Sequence, residues 1–126
     1  MELKIEQVLQ HGVAAHKKGK LQEAERLYRA ILQTQPAHPD ANHNLGVLGV
    51  GFGKIELALP YFKKAVESNS KVEQYWVSYI DALTKLDQLD NAKQILQQAQ
   101  AAGLKGEKLD QLGSRLDHLS SSASGK

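Results

Sequence analysis

Apolar residues recur along this chain at helical spacing, and the same short stripe returns three times. Leu21, Ala24, Tyr28 and Ile31 fall at i, i+3, i+7 and i+10; Ile55, Ala58, Phe62 and Ala65 repeat those offsets, and so do Leu89, Ala92, Leu96 and Ala99. A second kind of amphipathic segment precedes each stripe. The first carries Leu3, Val8, Leu9, Gly12, Val13 and Ala15, the second runs from about residue 39 to 52, and the third carries Tyr75, Trp76, Tyr79, Ile80 and Leu83. No alternating run suggests a strand. The pattern therefore predicts helix pairs, followed by one more helix over about 106–119 marked by Leu109, Leu112, Leu116 and Leu119.

The punctuation agrees with the pattern. Gly19 and Gly53 stand where the first helix of a pair should stop, and Asp87 takes that place in the third copy, being one of the few side chains tolerant of the left-handed region. Pro36 ends the second helix, and Pro39 suits the first position of the third. Pro60, inside the fourth, predicts a slight kink near Glu56 rather than a break. Gly46 predicts close helix packing, whereas Gly49 and Gly51 suggest only a soft helix end. Ser120 to Lys126 reads as a flexible tail or linker.

Aligning the copies gives a period of about 34 residues, the mark of a repeat array. Gly12, Ala24 and Tyr28 superpose on Gly46, Ala58 and Phe62, and Ala92 and Leu96 complete the series. With Trp76, Leu45, Ala65, Ala99 and Pro36 these positions resemble the tetratricopeptide repeat (TPR), whose large and small residues follow this order on this period. The resemblance covers about residues 5–104. It implies an all-α, right-handed superhelical stack of three hairpins (about 5–38, 39–72 and 73–104) closed by the capping helix, forming one domain over 1–119. Asn42 and Val8 depart from the pattern where Trp76 fits it. Ile80 stands where glycine is usual, which should splay the third hairpin.

The same resemblance implies a concave face lined by the first helix of each pair. Its positions fall on Glu6, Leu9, Gln10, Val13 and His16, then His43, Asn44, Val47 and Val50, then Gln74, Val77, Ser78 and Asp81. This describes a short groove with an apolar stripe edged by hydrogen-bonding groups, suited to a peptide or a helix face. Asn44 is similar to the asparagines with which TPR arrays of O-linked N-acetylglucosamine transferases hold peptide backbone, although Gln10 and Ser78 occupy the equivalent positions. The form that clamps a terminal carboxylate would need basic residues or asparagine at Leu9, Val13, Gln74 and Ser78, and is rejected. DANHNLGVL and YWVSYIDAL also resemble TPR segments that precede transferase domains in bacterial proteins. A recruiting front end for such a transferase is thus an alternative to a free-standing interaction module.

Composition narrows the classes further. The 126 residues hold 16 Lys+Arg against 14 Asp+Glu, net +2, too even to argue for nucleic acid or an anionic membrane. There is no cysteine, which fits a reducing compartment, and no signal-like or bilayer-spanning apolar run, so a cytoplasmic protein is expected. His11 and His16, like His38 and His43, lie five apart on different helix faces with no acidic cluster, and predict no metal site. Gly49-Val50-Gly51 lacks the spacing of a phosphate loop. No catalytic constellation is recognisable and no cofactor is implied, so the expectation is a non-enzymatic module. The basic runs His16–Lys20 and Lys63-Lys64 read as solvated turn and outer-helix charge. Self-association through Leu3, Ile5 and the Leu109–Leu119 stripe is a further expectation.

Overall fold

The computed structural model describes residues 4–124, which form seven helices and, among the described residues, no strand: α1 Ile5–Lys17, α2 Leu21–Thr34, α3 Pro39–Gly51, α4 Ile55–Ser68, α5 Glu73–Lys85, α6 Leu89–Ala101 and α7 Glu107–Ser124. They pack as antiparallel hairpins α1–α2, α3–α4 and α5–α6. Each second helix lies against the first helix of the next pair, and α6 lies against α7. On the first-helix side α5 also meets both α3 and α7 directly, while the second helices show no comparable contact among the described residues. That inequality curves the stack toward the first-helix side.

The hairpins turn by one device. Gly19, Gly53 and Asp87 all adopt positive φ (78°, 77° and 60°), as does Gly103 after α6 (93°). In each case the next N–H reaches back to the helix end: Lys20 to Ala15, Lys54 to Gly49, Gln88 to Leu83 and Leu104 to Ala99, at 2.8–3.2 Å. These are Schellman closures, which satisfy carbonyls that a helix end leaves orphaned. Asp87 holds the same conformation without being glycine, as its short polar side chain allows.

Packing within each hairpin is a size exchange. A Cβ on Gly12 would lie 2.6 Å from the Tyr28 ring, and one on Gly46 would lie 2.4 Å from the Phe62 ring. Glycine therefore makes room for a fully buried aromatic, whose burial contributes about 2–3 kcal/mol. In the third hairpin two aliphatic side chains of equal size share the space instead, Ile80 on α5 and Leu96 on α6, both buried. Their helices are the most loosely apposed of the three pairs, in the direction of the expected splay. Ala24, Ala58 and Ala92, each at most 1% exposed, keep the second helices close. Gly49 also gains a reason: its Cβ would sit 3.2 Å from that of Ala58, where α3 and α4 converge.

Asn42, the apparent departure from the pattern, performs the same tie as Trp76. Asn42 Nδ2 donates to the carbonyls of Pro36 (3.1 Å) and His38 (2.9 Å), and Trp76 Nε1 donates to that of Ser70 (2.9 Å). Pro36 and Ser70 are equivalent loop positions, so an amide and an indole anchor each first helix to the turn before it. Helix α4 runs through Pro60 unbroken.

The C-terminal reading needs correction. Residues 120–124 are the last turn of α7, not a flexible tail, and the helix extends well past residue 119. Serine is a mediocre helix former but does not stop one, and no glycine or proline intervenes before Gly125. Leu109 and Leu116, each 1% exposed, close the seam with Trp76, Ile80, Leu83 and Leu96. The apolar stripe offered above for self-association is thus largely spent on the cap; Leu3 lies outside the described residues.

Candidate functional site: the inner wall

The inner wall is built from α1, α3 and α5. Of its expected positions, Gln10 is exposed, and Leu9, Val13, His16, His43, Asn44, Val47, Val50, Val77, Ser78 and Asp81 are all half-buried. Leu9 and Val13 pack on the cluster around Tyr28 and Leu45, Val47 and Val50 on that around Ala58 and Phe62, and Val77 on that around Trp76 and Ile80. Each therefore supports the core and still presents part of its surface. Helical spacing sets this: these residues lie between the fully buried stripe and the solvent face of their helix.

Polar groups join the middle of the wall. His43 Nε2 and Ser78 Oγ lie 2.8 Å apart, joining α3 to α5, and Gln74 Nε2 donates to the same Oγ at 3.1 Å. The Tyr75 hydroxyl donates to the Asp40 carboxylate, a second tie between the two helices. The His43 ring rests between Phe62 (centroids 5.7 Å apart) and Tyr75 (5.0 Å). Burial pushes the His43 pKa below its ordinary value, against smaller upward contributions from the Asn44 amide and the Asp40 carboxylate. Burial raises the Tyr28 phenol, an effect the neighbouring Asn44 amide partly offsets. Burial and then Asp40 drive Tyr75 upward. All three groups are neutral near pH 7.

A serine and a histidine in hydrogen-bond contact raise the question of nucleophilic chemistry. The carboxylate that would orient the imidazole, Asp40, is taken by Tyr75, and Ser78 is already shared with Gln74. The cluster gathers a hydroxyl, an imidazole and amides beside half-buried valines. Asp81 is paired with Lys85 at 3.1 Å. His16 edges the Tyr28 ring (centroids 6.4 Å apart) at the far end of the wall. His38 stands outside it, its Nδ1 accepting from the Ala41 N–H to cap α3. Sequence reasoning placed Asp40 among the groove positions, equivalent to Glu6 and Gln74, but missed Tyr75 as its partner across the wall.

Comparison with known proteins follows the architecture. No curated protein sequence matches significantly. Among solved structures, the TPR domain of Sgt2 from Aspergillus fumigatus superposes with a TM-score of 0.85 at 19% identity, over 97% of this chain and 82% of that one. The first TPR of Spaghetti (RPAP3), bound to an HSP90 peptide, gives 0.80 at 18% identity, over 92% of each chain. The Yersinia enterocolitica type III secretion chaperone SycD, in complex with a peptide of the translocator YopD, gives 0.74 at 18%, over 90% and 87%. The tetratricopeptide repeat family matches residues 9–71. With three hairpins built on its spacing of small and large residues, the chain belongs to the tetratricopeptide repeat family.

Proposed function

We propose that the chain is a non-catalytic protein-interaction module that holds a peptide or protein segment along the inner wall of α1, α3 and α5. The observation that carries this reading is the line of half-buried apolar side chains, Leu9, Val13, Val47, Val50 and Val77, beside His43, Asn44 and Ser78. Apolar surface edged by hydrogen-bonding groups suits a segment whose side chains enter the stripe and whose backbone meets the polar groups. The peptide complexes of Spaghetti and SycD support it by likeness of fold. The wall differs from a carboxylate clamp: Leu9, Val13, Gln74 and Ser78 supply no cation, so a terminal carboxylate is not its natural ligand.

The test is a pull-down from cells of the source organism with the wild type and the double variant Asn44→Ala/Val47→Asp, followed by affinity measurement on the recovered partner. The variant places a charge in the stripe and removes the amide, and binding should drop by tenfold or more, about 1.4 kcal/mol. Helical content should be unchanged by circular dichroism. Equal affinity would remove the inner wall as the binding surface.

A further inference from the structure

The two exposed large apolar side chains among the described residues lie together, away from the inner wall. Phe52 is 41% exposed and Leu57 65% exposed, and both line one cleft of about 110 Å³ where α2, α3 and α4 meet. Gly49 and Ala58 form its floor, and the small size of both keeps it open. The Arg29 guanidinium closes one side, bonded to Glu25 (2.8 Å) and to the Tyr61 hydroxyl (3.1 Å). Room remains for one bulky side chain.

This cleft continues into charged ground. Phe52 also lines a shallow depression with Gly19, Lys20 and Glu23, and Lys20 and Glu23 in turn border a third hollow with Lys18 and Arg26. Shared residues make the three one strip along the turn edge of the first two hairpins. Lys18, Lys20, Arg26 and Lys54 have no ion-pair partner among the described residues; the carboxylates lining the strip are Glu23 and Glu25, and Glu25 is paired with Arg29. Read in the sequence alone, His16–Lys20 is solvated turn charge. The fold sets it beside the exposed apolar pair.

We propose that this strip is a second docking surface, whose occupant is an acidic peptide segment carrying a bulky apolar side chain. The side chain enters the cleft between Phe52 and Leu57, and the carboxylates lie along Lys54, Lys20 and Lys18. The charge imbalance selects an acidic partner over a basic one, and the apolar pair selects a protein segment over a simple polyanion. The surface is independent of the inner wall, and either can fail without the other.

Fluorescence anisotropy with three labelled probes tests it: EEFEELEE, its counterpart EEAEEAEE, and a single-stranded RNA oligonucleotide. EEFEELEE should bind about tenfold more tightly than EEAEEAEE, and its affinity should fall with added salt. Phe52→Ser/Leu57→Ser should lose about tenfold, as should Lys18→Glu/Lys20→Glu. Both variants alter exposed side chains, and circular dichroism checks their fold. Asn44→Ala/Val47→Asp should leave this binding unchanged. Equal binding of the two peptides, no binding of either, or tighter binding of RNA would overturn the proposal. So would a loss in the inner-wall variant, or a concentration-dependent dimer abolished by Phe52→Ser/Leu57→Ser, which would make a second copy the occupant.

Discussion

Gly46→Ala is the most direct test of how these hairpins are held. The added Cβ would stand 2.4, 2.7 and 2.8 Å from three atoms of the Phe62 ring. Phe62 is 1% exposed, so the ring has no free side to move into. Overpacking a filled core costs about 1–3 kcal/mol, and contacts this short belong near the upper end. Alanine gains back about 1 kcal/mol of helix propensity over glycine. The net loss should be roughly 2 kcal/mol. Gly51→Ala is the matched control, since a Cβ there meets nothing within 4 Å, and it should gain up to about 1 kcal/mol. Phe62→Leu imitates the third hairpin, where Leu96 faces Ile80, and should make Gly46→Ala tolerable. A double-mutant cycle should then give a coupling of about 2 kcal/mol. Urea unfolding followed by far-UV circular dichroism reads all five proteins: the wild type, the three single variants and the Gly46→Ala/Phe62→Leu double variant. The reasoning is refuted if Gly46→Ala raises the midpoint as Gly51→Ala does, or if the two substitutions add without coupling.

Asp87→Gly should raise stability by up to about 1 kcal/mol, because Asp87 holds φ 60° where glycine is at ease; a lower thermal midpoint would show that the carboxylate contributes more than its conformation costs. His43 gives a pH dependence whose sign follows from its lowered pKa. The unfolded chain binds a proton near the ordinary value of 6.5 while folded His43 resists it, so stability is full above that value and falls as pH drops through the window beneath it. His43→Gln should flatten that part of the curve in urea midpoints measured from pH 7.5 to 5, and an unaltered slope would assign it to another group.

Much of the fold was legible because its determinants are local. Helical stripes, stop residues and a fixed period are properties of neighbours in the chain, and the glycine opposite each aromatic can be read from alignment of the copies. Asn42 was misjudged because its role depends on reach rather than size: an amide finds the loop carbonyl that an indole finds in the next hairpin. The last turn of α7 was missed because a serine run resembles a linker in composition while lacking a residue that stops a helix. At the wall, the His43–Ser78 and Tyr75–Asp40 ties join residues of different hairpins, and their formation depends on how closely α3 and α5 approach. The strip at Phe52 and Lys20 was invisible for the same reason, since it is assembled from two turns that only stacking makes adjacent.

The ties across the inner wall also bear on the binding role proposed for it. His43, Ser78, Gln74, Asp40 and Tyr75 are already bonded to one another, so an arriving backbone that takes those same atoms would exchange existing hydrogen bonds rather than add to them. Exchange of that sort contributes little net free energy but penalises any visitor unable to replace what it displaces. Affinity would rest on the valines and discrimination on the polar cluster, an arrangement that favours readily reversible, selective engagement over permanent capture.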